Sequence, residues 1–395
     1  MLDRVVARFV DVAERRARLA LRHRHVAAAR TDDVVAITDG LVALHSTDPV
    51  SVYLSAAARM APPSLAAVDA ALYDERSLVR HHAMRRTLWV FGHEAAGLAH
   101  YASTVDVARA QRRLALTMFA DGGIARPEEW LASASADILA LLEAEGPLSA
   151  REIGLRLPAL TVPLAVGRGS SAGVIAAHSR VLLLLGFDGH VIRARPTGTW
   201  INGQYRWAAT STWWPDGFSA REPQAAAAGL ARRWLAAFGP GTRADLVWWA
   251  GWSVGVTKRA LADVGAVEVA LDEGPGYVLP DDVEPAPAAP PSAVLLPGLD
   301  PSTMGWKQRA FHLAPDDVAL LFDRNGNGGP TAWVDGRIVG GWHQRADGEI
   351  ALHLTADVGA EARAALEARA AELATLLGDV RFRTRFPAPL QAKLA

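Results

Sequence analysis

The sequence predicts an α+β protein in which three successive units, each with the helix and hairpin order of a winged helix, precede a small C-terminal β domain. Two patterns support this prediction. The order helix, helix, helix, hairpin occurs three times, and a run rich in proline and alanine at residues 284–292 is typical of a linker. A chain of 395 residues is long enough for two to four compact cores. We place the domains at residues 1–122, 123–222, 223–285 and 286–395.

The first unit has a basic N-terminal helix, three further helices, a hairpin and a connecting helix. Apolar residues at helical spacing predict the helices, and alternating residues predict the strands. The predicted helices span residues 15–25, 33–44, 52–60, 64–74 and 100–120, and the predicted strands span residues 77–82 and 87–91. Ser64 is a favoured N-cap residue, and Gly92 closes the second strand.

The second and third units repeat this order. In the second, Ser149 caps a short helix, and Ser170 or Ser171 is expected to open a longer helix that runs to Leu185. The predicted elements of the second unit are helices at 137–145, 150–157 and 170–185 and strands at 191–195 and 204–210. Those of the third unit are helices at 224–238, 244–250 and 253–264 and strands at 267–271 and 277–280.

The C-terminal region alternates short strand patterns with turns. Asp335-Gly336 and Asp347-Gly348 are hairpin signals. The predicted strands span residues 293–297, 332–334, 337–339, 349–355 and 380–385, and a terminal helix spans 360–377.

Composition narrows the class of protein. The chain contains no cysteine, which excludes disulfides, thiolate zinc sites and a cysteine nucleophile. Its apolar runs are far shorter than a membrane span, and its N-terminus lacks the pattern of a signal peptide. We therefore expect a cytoplasmic protein with no membrane partner.

Charge is unevenly distributed along a chain whose net charge is −1. The first 30 residues are basic and contain eight arginines, at positions 4, 8, 15, 16, 18, 22, 24 and 30. Residues 272–300 contain acidic residues and no basic one. Because guanidinium groups suit bidentate phosphate contacts, the basic end is a candidate anion-binding surface. The alternative is that arginine is frequent because the encoding genome is GC-rich.

A polar notch interrupts two apolar helical runs at residues 43–60. Four consecutive polar residues, His45, Ser46, Thr47 and Asp48, precede Pro49, which ends one helix. Asp48 or Ser51 can cap the next. The notch is either a capped turn or a functional site.

Several segments resemble the winged-helix DNA glycosylases of the AlkZ/YcaQ type. They are the notch itself, residues 84–88 (MRRTL, against Met-Arg-Gly-Thr-Leu in that family), 200–207 (WINGQYRW), 238–252, 299–301 with 304–307, 323–326 and 340–342. The resemblance extends over essentially the whole chain. At the notch the family has Gln-x-Gln or Gln-x-Asp, whereas this chain has His45 and Thr47.

This resemblance implies three winged helices that line a concave surface for duplex DNA, with a β-barrel-like domain behind them. It implies a monomeric, nucleoid-associated enzyme that hydrolyses the N-glycosidic bond of bulky alkylated or crosslinked purines. His45 is then expected to accept a proton from the attacking water, since its unperturbed pKa is about 6.5. Thr47 is expected to orient that water.

The resemblance also implies DNA contacts in the first hairpin and at the third predicted helix of the second unit, residues 170–185, which is the candidate recognition helix. The expected DNA-binding residues are Asp48, His82, Arg85, Arg86, Thr87, Arg168, Ser170, Ser171, His178 and Arg180. Helix N-termini bind phosphate, which favours the two serines. Two alternatives remain: Asp48 is a helix cap, and the two hairpin arginines are solvated charges.

No cofactor or metal is expected. The glycines at 167, 169 and 173 have the wrong spacing for a dinucleotide loop, and the histidine pairs lack a third ligand. Two other functions stay open. The protein is a non-catalytic DNA-binding regulator or damage sensor, or it binds a genotoxic compound directly. A regulator would need a dimerisation helix, and the sequence shows no heptad pattern.

Overall fold

The computed structural model describes residues 6–167 and 172–394. The N-terminal helix is α1 (Val12–Arg22). The first unit then contains α2 (Val34–Gly40), β1 (Leu44–His45), α3 (Pro49–Ala57), α4 (Leu65–Tyr73), β2 (Leu78–His82) and β3 (Leu88–Gly92). The connecting segment contains α5 (His93–Ala99), a π-helical turn (His100–Thr104) and α6 (Val105–Asp121).

The first and third units share one topology. The third contains α11 (Pro223–Phe238), β8 (Gly241–Thr242), α12 (Arg243–Ala250), α13 (Val254–Asp263), β9 (Val267–Leu271) and β10 (Gly274–Val278). In both units the short first strand pairs with the last strand, giving the orders β1-β3-β2 and β8-β10-β9. Side-chain caps begin the helices: Ser64 and Ser253 accept hydrogen bonds from the helical backbone, and Thr242 forms a capping box with Asp245.

The second unit carries an insertion that the sequence did not predict. Its elements are α7 (Pro127–Glu145), α8 (Ala150–Arg156), β4 (Pro163–Val166), β5 (Gly173–Ala176), α9 (Ala177–Phe187), β6 (Val191–Pro196), β7 (Tyr205–Ala209) and α10 (Thr210–Trp213). The hairpin β4–β5 lies where the start of the recognition helix was predicted. The predicted helix start at Ser170 or Ser171 is therefore wrong, because β-branched Val174 and Ile175 extend the chain before α9 begins.

The C-terminal region forms an open antiparallel sheet. Its elements are β11 (Ala293–Leu296), α14 (Pro301–Met304), α15 (Val318–Leu321), β12 (Thr331–Val334), β13 (Arg337–Gln344), β14 (Ile350–Leu354), α16 (Gly359–Leu377) and α17 (Pro389–Leu394). The strand order follows the chain, so that β11 and β14 are the edges of the sheet instead of closing a barrel. Residues 380–385, predicted as a strand, join no sheet.

The predicted basic and acidic segments pair with each other. Arg18 of α1 contacts Asp282 at 2.6 Å, Arg15 contacts Glu273 at 2.5 Å, and Arg22 also contacts Asp282. These guanidinium groups are thereby neutralised and anchor α1 to the third unit. Of the predicted cationic surface, Arg8, Arg15, Arg18 and Arg22 are therefore paired with carboxylates and are not free to bind an external anion.

One large core joins most of the chain. It includes Trp89 of the first unit, Ile192 of the second, Trp234 of the third and Trp306 of the C-terminal region. A second core combines α6 of the connecting segment with the second unit and extends from Ala115 to Ala209. No described helix is long and apolar enough to cross a membrane.

Candidate functional site

The polar notch lies between β1 and α3, where the C-terminal region meets the first unit. His45 is in β1, paired with Trp89, and the two rings lie 4.5 Å apart between centroids. The imidazole is buried, being only 5% exposed. Loss of hydration, and secondarily the nearby charge of Arg85, lowers the pKa of His45 to about 3. His45 is therefore neutral at physiological pH.

A backbone contact places the proton on the His45 ring. The Thr47 N–H donates to His45 Nδ1 at 3.4 Å, so the Nδ1 lone pair is occupied and the proton is on Nε2. In this form Nε2–H donates a hydrogen bond and does not accept a proton. The expectation that His45 acts as a base with an ordinary pKa is therefore wrong, because burial and tautomer both oppose it.

Thr47 contributes a hydroxyl that is buried and unpaired. Within the described ranges, Thr47 Oγ1 has no hydrogen-bond partner, while the Thr47 carbonyl accepts from Arg385 Nη1 at 3.1 Å. An unsatisfied buried polar group costs about 1–3 kcal/mol. Such a group in a native structure points to a water or ligand atom at that position.

Asp48 is a structural cap. Its carboxylate accepts from the Val50 N–H at 3.1 Å and from the Arg385 N–H at 3.2 Å, and it is buried. Burial raises the pKa of Asp48, and the two backbone N–H groups oppose that shift. The proposed DNA contact by Asp48 is wrong, because both oxygens bind backbone inside the protein.

Two arginines stack on one tryptophan beside the notch. The guanidinium carbons of Arg85 and Arg309 lie 4.3 and 5.2 Å from the centre of the Trp248 ring. Burial lowers the pKa of Arg309 to about 10, and the charge of Arg85 lowers it further. Among the described ion pairs, neither arginine has a carboxylate partner. The notch is therefore positively charged and has a partly exposed aromatic wall.

The sequence missed Trp248, Arg309 and Arg385. They come from the third unit and the C-terminal region, and only tertiary packing brings them to His45. The family resemblance covers Trp248, within residues 238–252, but it did not assign a role to any of the three residues. No periodicity or spacing in the chain links these positions.

The other predicted DNA-binding residues are scattered. Arg86 is exposed in the turn of the first hairpin, and the Thr87 hydroxyl donates to the Met84 carbonyl. His82 and His178 are buried: His82 packs 4.8 Å from Phe187, and His178 Nε2 lies 2.9 Å from the Ala150 carbonyl oxygen. Both assignments are wrong because neither ring reaches the surface.

Arg180 lies on α9 and is half-buried. Arg168, Ser170 and Ser171 lie outside the described residues. Among the predicted residues that the structure describes, Arg85 and Arg86 are therefore the ones that combine a cationic group with a position next to the notch.

Comparisons with known proteins agree with this architecture. A family model described as DNA glycosylase AlkZ-like matches residues 38–376. The solved structure of Streptomyces sahachiroi DNA glycosylase AlkZ is similar, with a TM-score of 0.72 and 21% sequence identity over 95% of this chain and 98% of that one. At that identity the likeness establishes the fold. No curated protein matches the chain.

Proposed function

This chain belongs to the AlkZ-like family of DNA glycosylases, and from that premise we propose that it excises bulky alkylated or crosslinked purines from duplex DNA. The observation that carries the proposal is the unpaired, buried Thr47 hydroxyl beside the neutral His45 ring. We infer that the Thr47 hydroxyl and the His45 Nε2–H hold one water between them, as its acceptor and its donor. No cofactor enters the proposal.

The proposed reaction breaks the bond between C1′ of the sugar and the purine nitrogen. The electron pair of that bond leaves with the base, and the water oxygen forms the new bond to C1′. We assign Thr47 to accept a hydrogen bond from the water and His45 Nε2–H to donate one, so that a lone pair of the water faces the sugar. The proton that the water loses passes to solvent.

The lack of a general acid at the notch favours a particular leaving group. A purine alkylated at a ring nitrogen is already cationic, so it leaves as a neutral base without being protonated first. The notch has no free carboxylate in the described residues, since Asp48 binds two backbone N–H groups. It therefore lacks an acid to assist an uncharged purine, and cationic alkylpurines are the substrates that it suits.

We interpret the three repeated units as tandem winged helices and the face that bears the notch as the side that meets the duplex. The shared strand orders of the first and third units support this interpretation. In the second unit Leu148 forms the matching bridge to Trp207. A monomer in the cytoplasm, close to the nucleoid, would suffice for this activity.

The test is single-turnover excision on a duplex that carries one bulky N7-alkylguanine, with abasic sites measured as alkali-labile breaks. His45→Ala should slow excision on the order of tenfold and leave lesion binding nearly intact, because the neutral ring contributes one hydrogen bond to the water. Thr47→Ala should slow excision on the order of tenfold, since one neutral hydrogen bond is worth about 1 kcal/mol. Controls are His353→Ala and Thr375→Ala, which alter exposed residues of β14 and α16. Wild-type rates in His45→Ala would overturn the catalytic assignment.

A second function, lesion binding without chemistry, is favoured by two observations. Both glutamine-type positions of the family are replaced, and burial makes His45 a poor base. In that case the wild type would bind the lesion duplex more tightly than undamaged DNA and release no base. The same experiment separates the two functions.

A further inference from the structure

Residues 380–386 form a segment whose arginines all face outward. The sequence is Val-Arg-Phe-Arg-Thr-Arg-Phe, and exposure alternates with it: Arg381, Arg383 and Arg385 are exposed, whereas the residues between them are half-buried. A period of two indicates extended backbone, although the segment pairs with no strand. We call it the arginine strip.

Side chains take the place of a partner strand. The Gln344 amide donates to the Val380 carbonyl at 2.9 Å and accepts from the Phe382 N–H at 3.2 Å. Further along, the Arg385 N–H donates to Asp48 at the notch. The backbone of the strip is therefore held at both ends, and its second end is part of the candidate site.

The three arginines differ in what they bind. Arg381 donates to the carbonyls of Asp347 and Gly378, at 2.9 and 2.6 Å, and supports the turn before β14. Arg385 donates to the Thr47 carbonyl. Arg383 has neither an acidic partner nor a hydrogen bond from its side chain within the part of the chain that the structure describes. It is available to an external anion.

The strip borders a groove that is large enough for part of a nucleotide chain. The groove holds about 680 Å³ and is lined by His343, Arg345, Phe382, Arg383 and Thr384, among others. Arg345 is paired with Glu349, so Arg383 is the principal free cation of this wall. Two residues after Arg383 in the strip, Arg385 contacts Asp48 and Thr47 of the notch.

We propose that the arginine strip binds the phosphate backbone of one DNA strand and leads that strand to the notch. Alternate residues of an extended chain lie roughly 6.5–7 Å apart, a distance comparable with that between successive phosphates of one strand. Arg383 and Arg385 can therefore contact neighbouring phosphates. This inference rests on the proposed function, and it assigns a DNA-binding role to the C-terminal region. The arginine strip would also supply a free cationic surface, which the paired N-terminal arginines do not provide.

Duplex affinity as a function of salt tests the inference. Arg383→Ala should weaken binding several-fold at low salt and reduce the slope of log affinity against log salt by roughly 0.9, the value for one lost phosphate contact. Arg383→Lys should restore most of the slope. The matched control is Arg363→Ala, which removes the same charge from an exposed position of α16.

The outcomes distinguish the two proposals. If the wild type fails to bind duplex DNA at low salt, the proposed function fails, and with it this inference. If the wild type binds and Arg383→Ala matches Arg363→Ala in affinity and slope, only the arginine strip is overturned. Thermal unfolding of each variant identifies a loss of binding that arises from misfolding, and Arg383→Lys then decides the result.

Discussion

Burial of the His45 ring determines the proton chemistry that this residue supports. Its pKa of about 3 lies well below physiological pH. The ring therefore stays neutral from pH 8 down to pH 5, and its hydrogen-bond donor is present throughout.

We predict that excision by the folded protein shows no titration assignable to His45 between pH 5 and 8. The measurement is the single-turnover rate across that range, with protein in excess over the lesion duplex. A fall in rate centred near pH 6.5, absent from the residual activity of His45→Ala, would show that the ring titrates normally and acts as a base.

At the scale of elements, the turn between β2 and β3 departs from the family pattern. Arg85 and Arg86 both have positive φ angles, 54° and 64°, in the left-handed region that glycine adopts without strain. The related family has glycine at the position of Arg86. Arg86 thus occupies a strained turn at the edge of the notch, and a contact between its guanidinium group and a phosphate would offset the strain.

We predict that Arg86→Gly stabilises the protein by about 1 kcal/mol, because strain in the turn is relieved. The same change should weaken duplex binding and lower its salt slope. Urea unfolding and salt-dependent binding measure the two effects. Arg126→Gly is the comparison, since Arg126 also has a positive φ, 49°, at the start of α7, far along the chain from the first hairpin. Unchanged binding by Arg86→Gly would leave Arg86 as a solvated turn residue.

The sequence identified most elements because their signals are local. Caps at Ser64 and Ser149 begin helices as predicted, and β9 occupies the predicted residues. Predictions failed where a segment had the alternation of a strand but its backbone groups bonded to side chains instead of to a neighbouring strand. Residues 380–385 have strand-like alternation, but their backbone groups bind the side chains of Gln344 and Asp48.

The site was less predictable than the fold. The notch residues were identifiable because they are consecutive in the chain and resemble a family motif. Their environment was not, since the low pKa of His45 depends on packing against Trp89 and on Arg85. Nor could sequence show that α1 would bind the acidic segment, although both were recognised as charged.

At the scale of the whole molecule, the units fold around shared interiors. The main core draws aromatic residues from all four segments, so the boundary expected near residue 286 does not separate two cores. Arg59 and Asp300 make a fully buried bidentate ion pair across the first unit and the C-terminal region, with both N–O distances at 2.8 Å. Replacing either Arg59 or Asp300 would leave the other charge buried and unpaired.

Buried histidines add a dependence on pH to this shared interior. Burial, the largest cause in each case, lowers the pKa of seven buried imidazoles. It is about 3 for His23, His45 and His82, about 4 for His100, and well below the ordinary value for His25, His81 and His312. In the unfolded chain these rings titrate near pH 6.5. Below that pH the unfolded state binds more protons than the folded state.

We therefore predict that the free energy of unfolding falls steadily as the pH is lowered from 6.5 toward 4. Each histidine that stays neutral in the folded state contributes about 2 kcal/mol of lost stability at pH 5.

His312 is the clearest case, because neither ring nitrogen has a partner in the described chain and the ring stacks on Trp333 at 5.3 Å. His312→Leu should raise stability at pH 7 and reduce the slope against pH, whereas exposed His353→Leu should change neither. Urea unfolding at half-unit steps from pH 7.5 to 5 measures both quantities. A stability that is flat over this range would mean that the histidines are hydrated and titrate normally in the folded protein.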